Sequence, residues 1–337
     1  VSWQRVRGHE NLIESFAEVV QRDRLAHAYL FVGPPGVGKK LFAEELAKAL
    51  LCERPADPLQ ACDQCSSCRL VEAGTHPDFL RASMPADKHE FPIDTMRELL
   101  AQIALKPARG SHKIATIDDA DDLNDESANC FLKTLEEPPP NSVLILLATD
   151  LGRQLPTIVS RCQVVRFHPL SAATIAKLLV EQGVDASKPE RLARLSGGSL
   201  GLARELADDE LWSFRREMLA ELAKPKPDTV ELAKKLTAFC EDAGKETALQ
   251  RARATLIVKL LVDLLEAALL ISAGAEAANI EPDDRPAAEA LARRFSADKL
   301  LHLIDRCLDA EFHIDRRVQL VLALEAFVDA FAEPIWA

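Results

Sequence analysis

The residues Gly33-Pro34-Pro35-Gly36-Val37-Gly38-Lys39-Lys40 follow the phosphate-binding pattern G-x-x-x-x-G-K-[S/T] in all but its last letter. Glycines in such a loop let backbone N–H groups converge on phosphate oxygens. The helix that follows aims its positive end at the same point, and the lysine adds a compact charge. Gly33, Gly36, Gly38 and Lys39 fill these roles. Lys40 stands where a hydroxyl would hold Mg2+, so ATP and Mg2+ are doubtful ligands and the nucleotide site is expected to be degenerate. A purely structural strand-to-helix turn is the alternative reading.

A second set of residues suits a metal. Cys52, Cys62, Cys65 and Cys68 form a C-x9-C-x2-C-x2-C cluster among turn residues such as Pro55 and Pro58. Four thiolates in so short a segment match tetrahedral Zn2+, and a closed sulfur shell makes the site structural rather than catalytic. Disulfides and unligated thiols are the competing readings. Cys130, Cys162, Cys240 and Cys307 are scattered along apolar faces and read as core packing.

The third set is acidic. The apolar run Lys113-Ile114-Ala115-Thr116-Ile117 leads into Asp118-Asp119-Ala120-Asp121, which places carboxylates at the carboxyl edge of a parallel sheet, where ligands of open α/β folds collect. In a P-loop enzyme the first acid helps to hold Mg2+ and the next polarises water. Asp118 is available for the first task, whereas Asp119 is one carbon shorter than glutamate. A solvated acidic turn is the bland alternative. Ser142-Val-Leu-Ile-Leu-Leu-Ala148 delivers Thr149 and Asp150 to the same edge, and a helix around Leu155 to Val159 presents Ser160-Arg161-Cys162.

The elements that must position these residues can be read from apolar periodicity. Strands are expected at Tyr29 to Val32, Asp78 to Ala82, residues 113–117, Ser142 to Ala148 and Val164 to Phe167, alternating with helices over 10–22, after the glycine loop, over 93–103 and over 124–137. That alternation predicts a three-layer α/β/α sheet with helices on both faces. Beyond His168-Pro169-Leu170 only helices are expected, over 171–183, 188–196, after Gly197-Gly198-Ser199, and over 247–272. Pro225, Pro227, Pro282 and Pro286 mark connections in the last, Ala- and Leu-rich part.

Composition narrows the function classes. The 337 residues suffice for two or three domains, and the formal net charge of −12 argues against a strong non-specific nucleic-acid binder. No apolar run approaches the roughly twenty residues that cross a bilayer, so no membrane role is expected. The start Val1-Ser2-Trp3-Gln4-Arg5 carries no apolar signal, and the eight cysteines in so long a chain then predict a reduced, cytoplasmic setting.

Taken together, these motifs resemble the clamp-loader branch of the AAA+ proteins, most closely its bacterial delta-prime subunits. The likeness rests on His27-Ala28-Tyr29-Leu30-Phe31, the glycine loop, the four cysteines, His76-Pro77-Asp78, Leu132-Lys133-Thr134-Leu135-Glu136-Glu137-Pro138-Pro139, and Leu155-Pro156-Thr157-Ile158-Val159-Ser160-Arg161-Cys162. It covers residues 1–205 well, and the C-terminal third matches only in being helical. The resemblance implies an AAA+ nucleotide-binding domain over 1–168 with an inserted zinc module at 52–68. A three-helix lid over 169–210 and a helical collar over 211–337 for oligomerisation would follow. It further implies a DNA polymerase III hetero-pentamer with gamma/tau motor subunits and a delta subunit, which loads a sliding clamp onto primed DNA. In that family the arginine of Ser-Arg-Cys reaches a neighbour's ATP, so Arg161 would be an arginine finger acting in trans, and Thr149 would occupy the sensor position.

The departures from the motor pattern are Lys40, the Asp118-Asp119 pair, and Gly198-Ser199-Leu200-Gly201-Leu202, where motor subunits carry a γ-phosphate-sensing arginine. They predict a stator-like subunit with little or no ATPase of its own. An active gamma/tau-like motor ATPase and an unrelated zinc-containing structural or interaction protein are the alternatives.

Overall fold

The computed structural model describes residues 3–85, 88, 90–185, 188–222, 224, 227–274, 280, 284–316 and 318–331. Val1 and Ser2 of the chain start, and Pro225 and Pro282 among the expected connections, lie outside these. The chain forms two compact units, Val1–Ala203 and Arg204–Ala337.

The first unit is built around a five-stranded parallel sheet of β1 (Ala28–Val32), β2 (Phe79–Ala82), β3 (Lys113–Ile117), β4 (Ser142–Ala148) and β5 (Gln163–Arg166) in the order β2-β3-β4-β1-β5. Its helices are α1 (Glu10–Gln21), α2 (Lys39–Leu51), α3 (Ser66–Glu72), α4 (Ile93–Ile103), α5 (Asp125–Glu136), α6 (Pro156–Val159), α7 (Ala172–Glu181), α8 (Pro189–Leu195) and the start of α9 (Leu200–Glu205). Parallel strands covered on both faces read as continuous apolar runs, and all residues of β1, β3 and β4 are buried. Side chains alternate between the faces. Tyr29, Phe31, Val143, Ile145 and Leu147 meet Phe16 of α1 and Phe42 of α2 in one core, whereas Leu30, Val32, Leu144 and Leu146 meet Met96 of α4 and Phe131 of α5 in the other. Those two cores make the three layers expected from the sequence.

β1 lies between the central strand β4 and the edge strand β5, and its last residue Val32 delivers the glycine loop to the carboxyl edge. The ends of β3 and β4 bring Asp118 and Thr149 to that edge. β5 begins at Gln163, one residue earlier than expected, and Phe167 leaves the strand to pack on Phe31 and Phe42.

The second unit contains α10 (Asp209–Leu222), α11 (Thr229–Glu241), α12 (Thr247–Ser272), α13 (Arg285–Arg294), α14 (Ala297–Asp315) and α15 (Leu320–Asp329). α12 packs against α13 and α14, and α11 packs against α15. Arg215 and Asp284 form an ion pair of 2.5 Å in its interior. Cys240 and Cys307 are fully buried, as core packing requires, but Cys130 and Cys162 are only partly buried at the margin of the α4–α5 core. No described helix is long and apolar enough to cross a membrane.

Candidate functional site

The glycine loop joins β1 to α2 as phosphate binding requires. Gly38 caps α2 with φ at +105° and Gly36 has φ at +74°, a region that side chains avoid. Gly36 is also crowded. Its carbonyl accepts a hydrogen bond of 3.2 Å from the Gly201 N–H, and a Cβ there would lie 2.3 Å from Ser199 Oγ. The segment 199–201 thus sits directly on the loop. Beside it, a cavity of about 40 Å³ is lined by Arg7, His9, Val37, Leu41, Leu170 and Leu178 among others. That volume admits no more than a few waters, far short of a purine base.

Lys39 is buried and folds back on the loop, donating to the Gly33 carbonyl at 2.5 Å and the Pro34 carbonyl at 2.8 Å. Burial pulls its pKa down against the attraction of Asp121 and Asp118. Lys40 points across the loop and donates to Asp118 Oδ2 at 2.9 Å. The structure therefore brings the two expected magnesium positions together, but as an ion pair with each other. Asp119 is exposed and adopts φ of +56°. Thr149 is exposed at the end of β4, and its N–H donates to Asp121 Oδ2 at 2.6 Å. Asp121 Oδ1 accepts from Gln154 at 2.8 Å. Asp121 thus tethers the ends of β3 and β4.

Arg161 follows α6 and stays partly exposed, with 35% of its side chain accessible. It donates to Glu136 Oε1 at 2.6 Å, to the Thr157 carbonyl at 3.0 Å and to Ser160 Oγ at 3.2 Å. Glu136 comes from the end of α5, so two of the quoted motifs meet here.

The Sγ atoms of Cys52, Cys62, Cys65 and Cys68 lie within 4.8 Å of one another, and Cys52 and Cys65 are 4.0 Å apart. Tetrahedral Zn–S bonds of about 2.3 Å place sulfurs about 3.8 Å apart, so the cluster could close on a metal with small adjustments. The N–H groups of Cys62, Cys65 and Cys68 donate to the sulfurs of Cys52, Cys62 and Cys65 at 3.2, 3.3 and 3.4 Å. Such donors favour thiolates. N–H groups of Gln64 and Cys65 lower the Cys62 thiol to about 6, whereas burial raises Cys52 and Cys68. The donor set fits a metal. Cys65 caps α3, a helix that the turn-rich cysteine segment did not announce.

Buried polar residues frame the module. His76 Nδ1 accepts the Asp78 N–H at 3.0 Å, which leaves Nε2 to donate to Ser67 Oγ of α3 at 3.2 Å. Asp78 is fully buried and accepts from the N–H groups of Ala108, Arg109 and Gly110 at 2.6, 2.8 and 3.0 Å. Burial opposes the Asp78 charge, but those three amides outweigh it and hold its pKa low.

Residues 8–171 match the family model described as DNA polymerase III, delta subunit. The chain is 38% identical over 208 residues to DNA polymerase III subunit delta' of Pseudomonas aeruginosa, covering 60% of this chain and 62% of that protein. It is 33% identical over 222 residues to the Escherichia coli subunit delta', covering 65% and 64%. Escherichia coli subunit tau is 35% identical over 219 residues, covering 62% of this chain and 33% of tau. The chain thus spans less than two thirds of these relatives' lengths. A gamma subunit-related protein of Thermotoga maritima, 16% identical with a TM-score of 0.52 over 95% of this chain and 98% of that one, speaks for the fold alone. The parallel sheet and the glycine loop agree with these matches, which make the chain similar to DNA polymerase III subunits of the delta' and tau kinds.

Proposed function

We propose that this chain is the delta-prime subunit of a DNA polymerase III clamp loader, a stator with little or no ATPase of its own. The observation that carries this reading is the Lys40–Asp118 ion pair, which sets an ammonium against the carboxylate that a nucleotide-bound Mg2+ would need. The seating of Gly201 on Gly36 and the small cavity beside it support the same conclusion. In this reading the AAA+ domain spans 1–168, the lid 169–210 and the oligomerising collar 211–337. The chain would work in the cytoplasm in a hetero-pentamer with gamma/tau motor subunits and a delta subunit, acting on the sliding clamp and primed DNA.

Its chemical contribution is assigned to Arg161. The guanidinium is exposed enough to reach a neighbour, and its bonds to Glu136 and Thr157 restrict its orientation. A cation set against developing phosphate charge is worth about 10³ to 10⁵ in rate. Cys52, Cys62, Cys65 and Cys68 would hold a structural Zn2+, which would fix the module's fold and take no part in the reaction.

The decisive experiment compares ATP turnover by the purified chain with turnover by the reconstituted assembly containing either this chain or its Arg161→Ala variant. Negligible turnover alone and a large loss on substitution in the assembly support the stator reading. Brisk turnover by the chain alone, abolished by Lys39→Ala, would instead favour a gamma/tau-like motor, a reading kept in view by the 35% identity to tau.

A further inference from the structure

We propose that Lys48 is the positioning residue of the four-cysteine centre, drawing together the three chain segments that carry its thiols. This rests on the metal reading of that centre. Lys48 lies one turn before the end of α2, and Cys52 is the C-cap of that helix. Its ammonium forms an ion pair of 2.8 Å with Asp63, a residue between Cys62 and Cys65 whose backbone takes φ of +57°. It reaches Glu72 at 3.2 Å, the last residue of the helix that Cys65 caps and in which Cys68 lies. Its third partner is Glu45 of its own helix at 2.9 Å. One cation therefore bonds to the segment beside every ligand.

The side chain is only 5% exposed, and Glu45 is 3% exposed. A buried ammonium is stable only where carboxylates surround it, so its position is dictated by those partners and theirs by it. The Cys62 N–H to Cys52 sulfur bond joins the same two segments that the Lys48–Asp63 pair joins. Residues behind a metal's ligands typically account for about 10- to 100-fold in affinity when they hold ligand geometry.

The test is Zn2+ affinity of the full chain, read by competition with a chromophoric chelator, with circular dichroism as the check on folding. Asp63→Asn tolerates the left-handed turn and leaves Lys48 bound to Glu45 and Glu72, so it should fold and lose about 10-fold in affinity. Lys48→Met should lose about 100-fold. Glu45→Gln removes a buried charge from Lys48's own helix while leaving the ties to Asp63 and Glu72, which link that helix to the other two segments, and should stay within about 3-fold of the parent. If Lys48→Met does not fold, Asp63→Asn decides. Parent-like affinity in folded Asp63→Asn, or an equal loss in Glu45→Gln, overturns the positioning role while leaving the metal centre standing. A parent chain that takes up no Zn2+ overturns both.

Discussion

The Lys40 ammonium lies 2.9 Å from Oδ2 of Asp118, across 78 residues of sequence, and pairs the two positions from which a nucleotide-bound magnesium would be held. Lys40 is 62% exposed and Asp118 29% exposed, so the pair adds only about 0–1 kcal/mol to stability. Its consequence is chemical. A divalent ion binding at Oδ2 of Asp118 must compete with the Lys40 ammonium.

Replacing that cation with a hydroxyl should therefore change ligand binding more than fold. Lys40→Thr supplies the missing magnesium ligand and frees Asp118 together. MgATP affinity, measured by calorimetry, should rise at least about tenfold over the parent chain, equivalent to about 1.4 kcal/mol. Turnover should remain low, since residues 198–202 contain no arginine to meet the γ-phosphate. Unchanged affinity would show that segment 199–201, rather than Lys40, closes the site.

The Arg161–Glu136 contact makes a graded prediction. Both side chains are partly exposed, so neither Arg161→Ala nor Glu136→Ala should shift the unfolding midpoint beyond the effect of about 1 kcal/mol. In the assembly, Arg161→Ala should lower ATP turnover by about 10³-fold or more. Glu136→Ala, which leaves the cation but loosens its orientation, should cost about tenfold or less. Equal losses would contradict this division, because they would make the carboxylate as necessary as the cation.

These relationships differ in how visible they are along the chain. Strands β1, β3 and β4 are apolar runs bounded by turns, and α4 and α12 follow a helical period, so their extents over 93–103 and 247–272 match the reading of the sequence. The glycine loop and the four cysteines are local patterns and were equally plain. The sequence does not mark Lys48, Asp78 and Glu136 by their cross-element partners, because a side chain that pairs across elements leaves no period. Asp121 stood in the acidic run, but only the strand geometry shows that it, and not Asp119, reaches Thr149. The same limit hid the meaning of Lys40. Its type signalled a missing ligand, whereas its pairing with Asp118 required the sheet.

Acid should weaken the first unit in two stages. Burial holds the His76 pKa below its usual value, and against the opposing effect of burial the amides of Ala108, Arg109 and Gly110 hold Asp78 below its own. A group whose folded pKa is depressed contributes stability above its unfolded pKa and loses it as pH falls through the folded value. His76 should thus lose its contribution below about pH 6.5 and Asp78 below about pH 3.9. Urea midpoints measured across pH should fall less steeply just below pH 6.5 in His76→Gln, and less steeply below pH 4 in Asp78→Asn. The latter should also cost about 1–3 kcal/mol at neutral pH, since one amide oxygen cannot serve three backbone donors as well as a carboxylate does.

Gly36 and Gly38 both have positive φ, yet they should respond differently to alanine. A Cβ at Gly38 meets nothing within 4 Å, so Gly38→Ala should cost only the backbone penalty of about 1–2 kcal/mol. At Gly36 the same penalty applies, and the new carbon would also lie 2.3 Å from Ser199 Oγ and 3.0 Å from the backbone of Gly201. Gly36→Ala should therefore destabilise the first unit by about 1–3 kcal/mol more than Gly38→Ala does. Ser199 can turn its hydroxyl away, but the Gly201 backbone is held by its own bond to Gly36. Adding Ser199→Ala to Gly36→Ala should then recover less than half of the excess loss in denaturant unfolding. Full recovery would mean that the clash is with the hydroxyl alone and that the backbone approach of residues 199–201 to the loop is not a fixed feature of the fold.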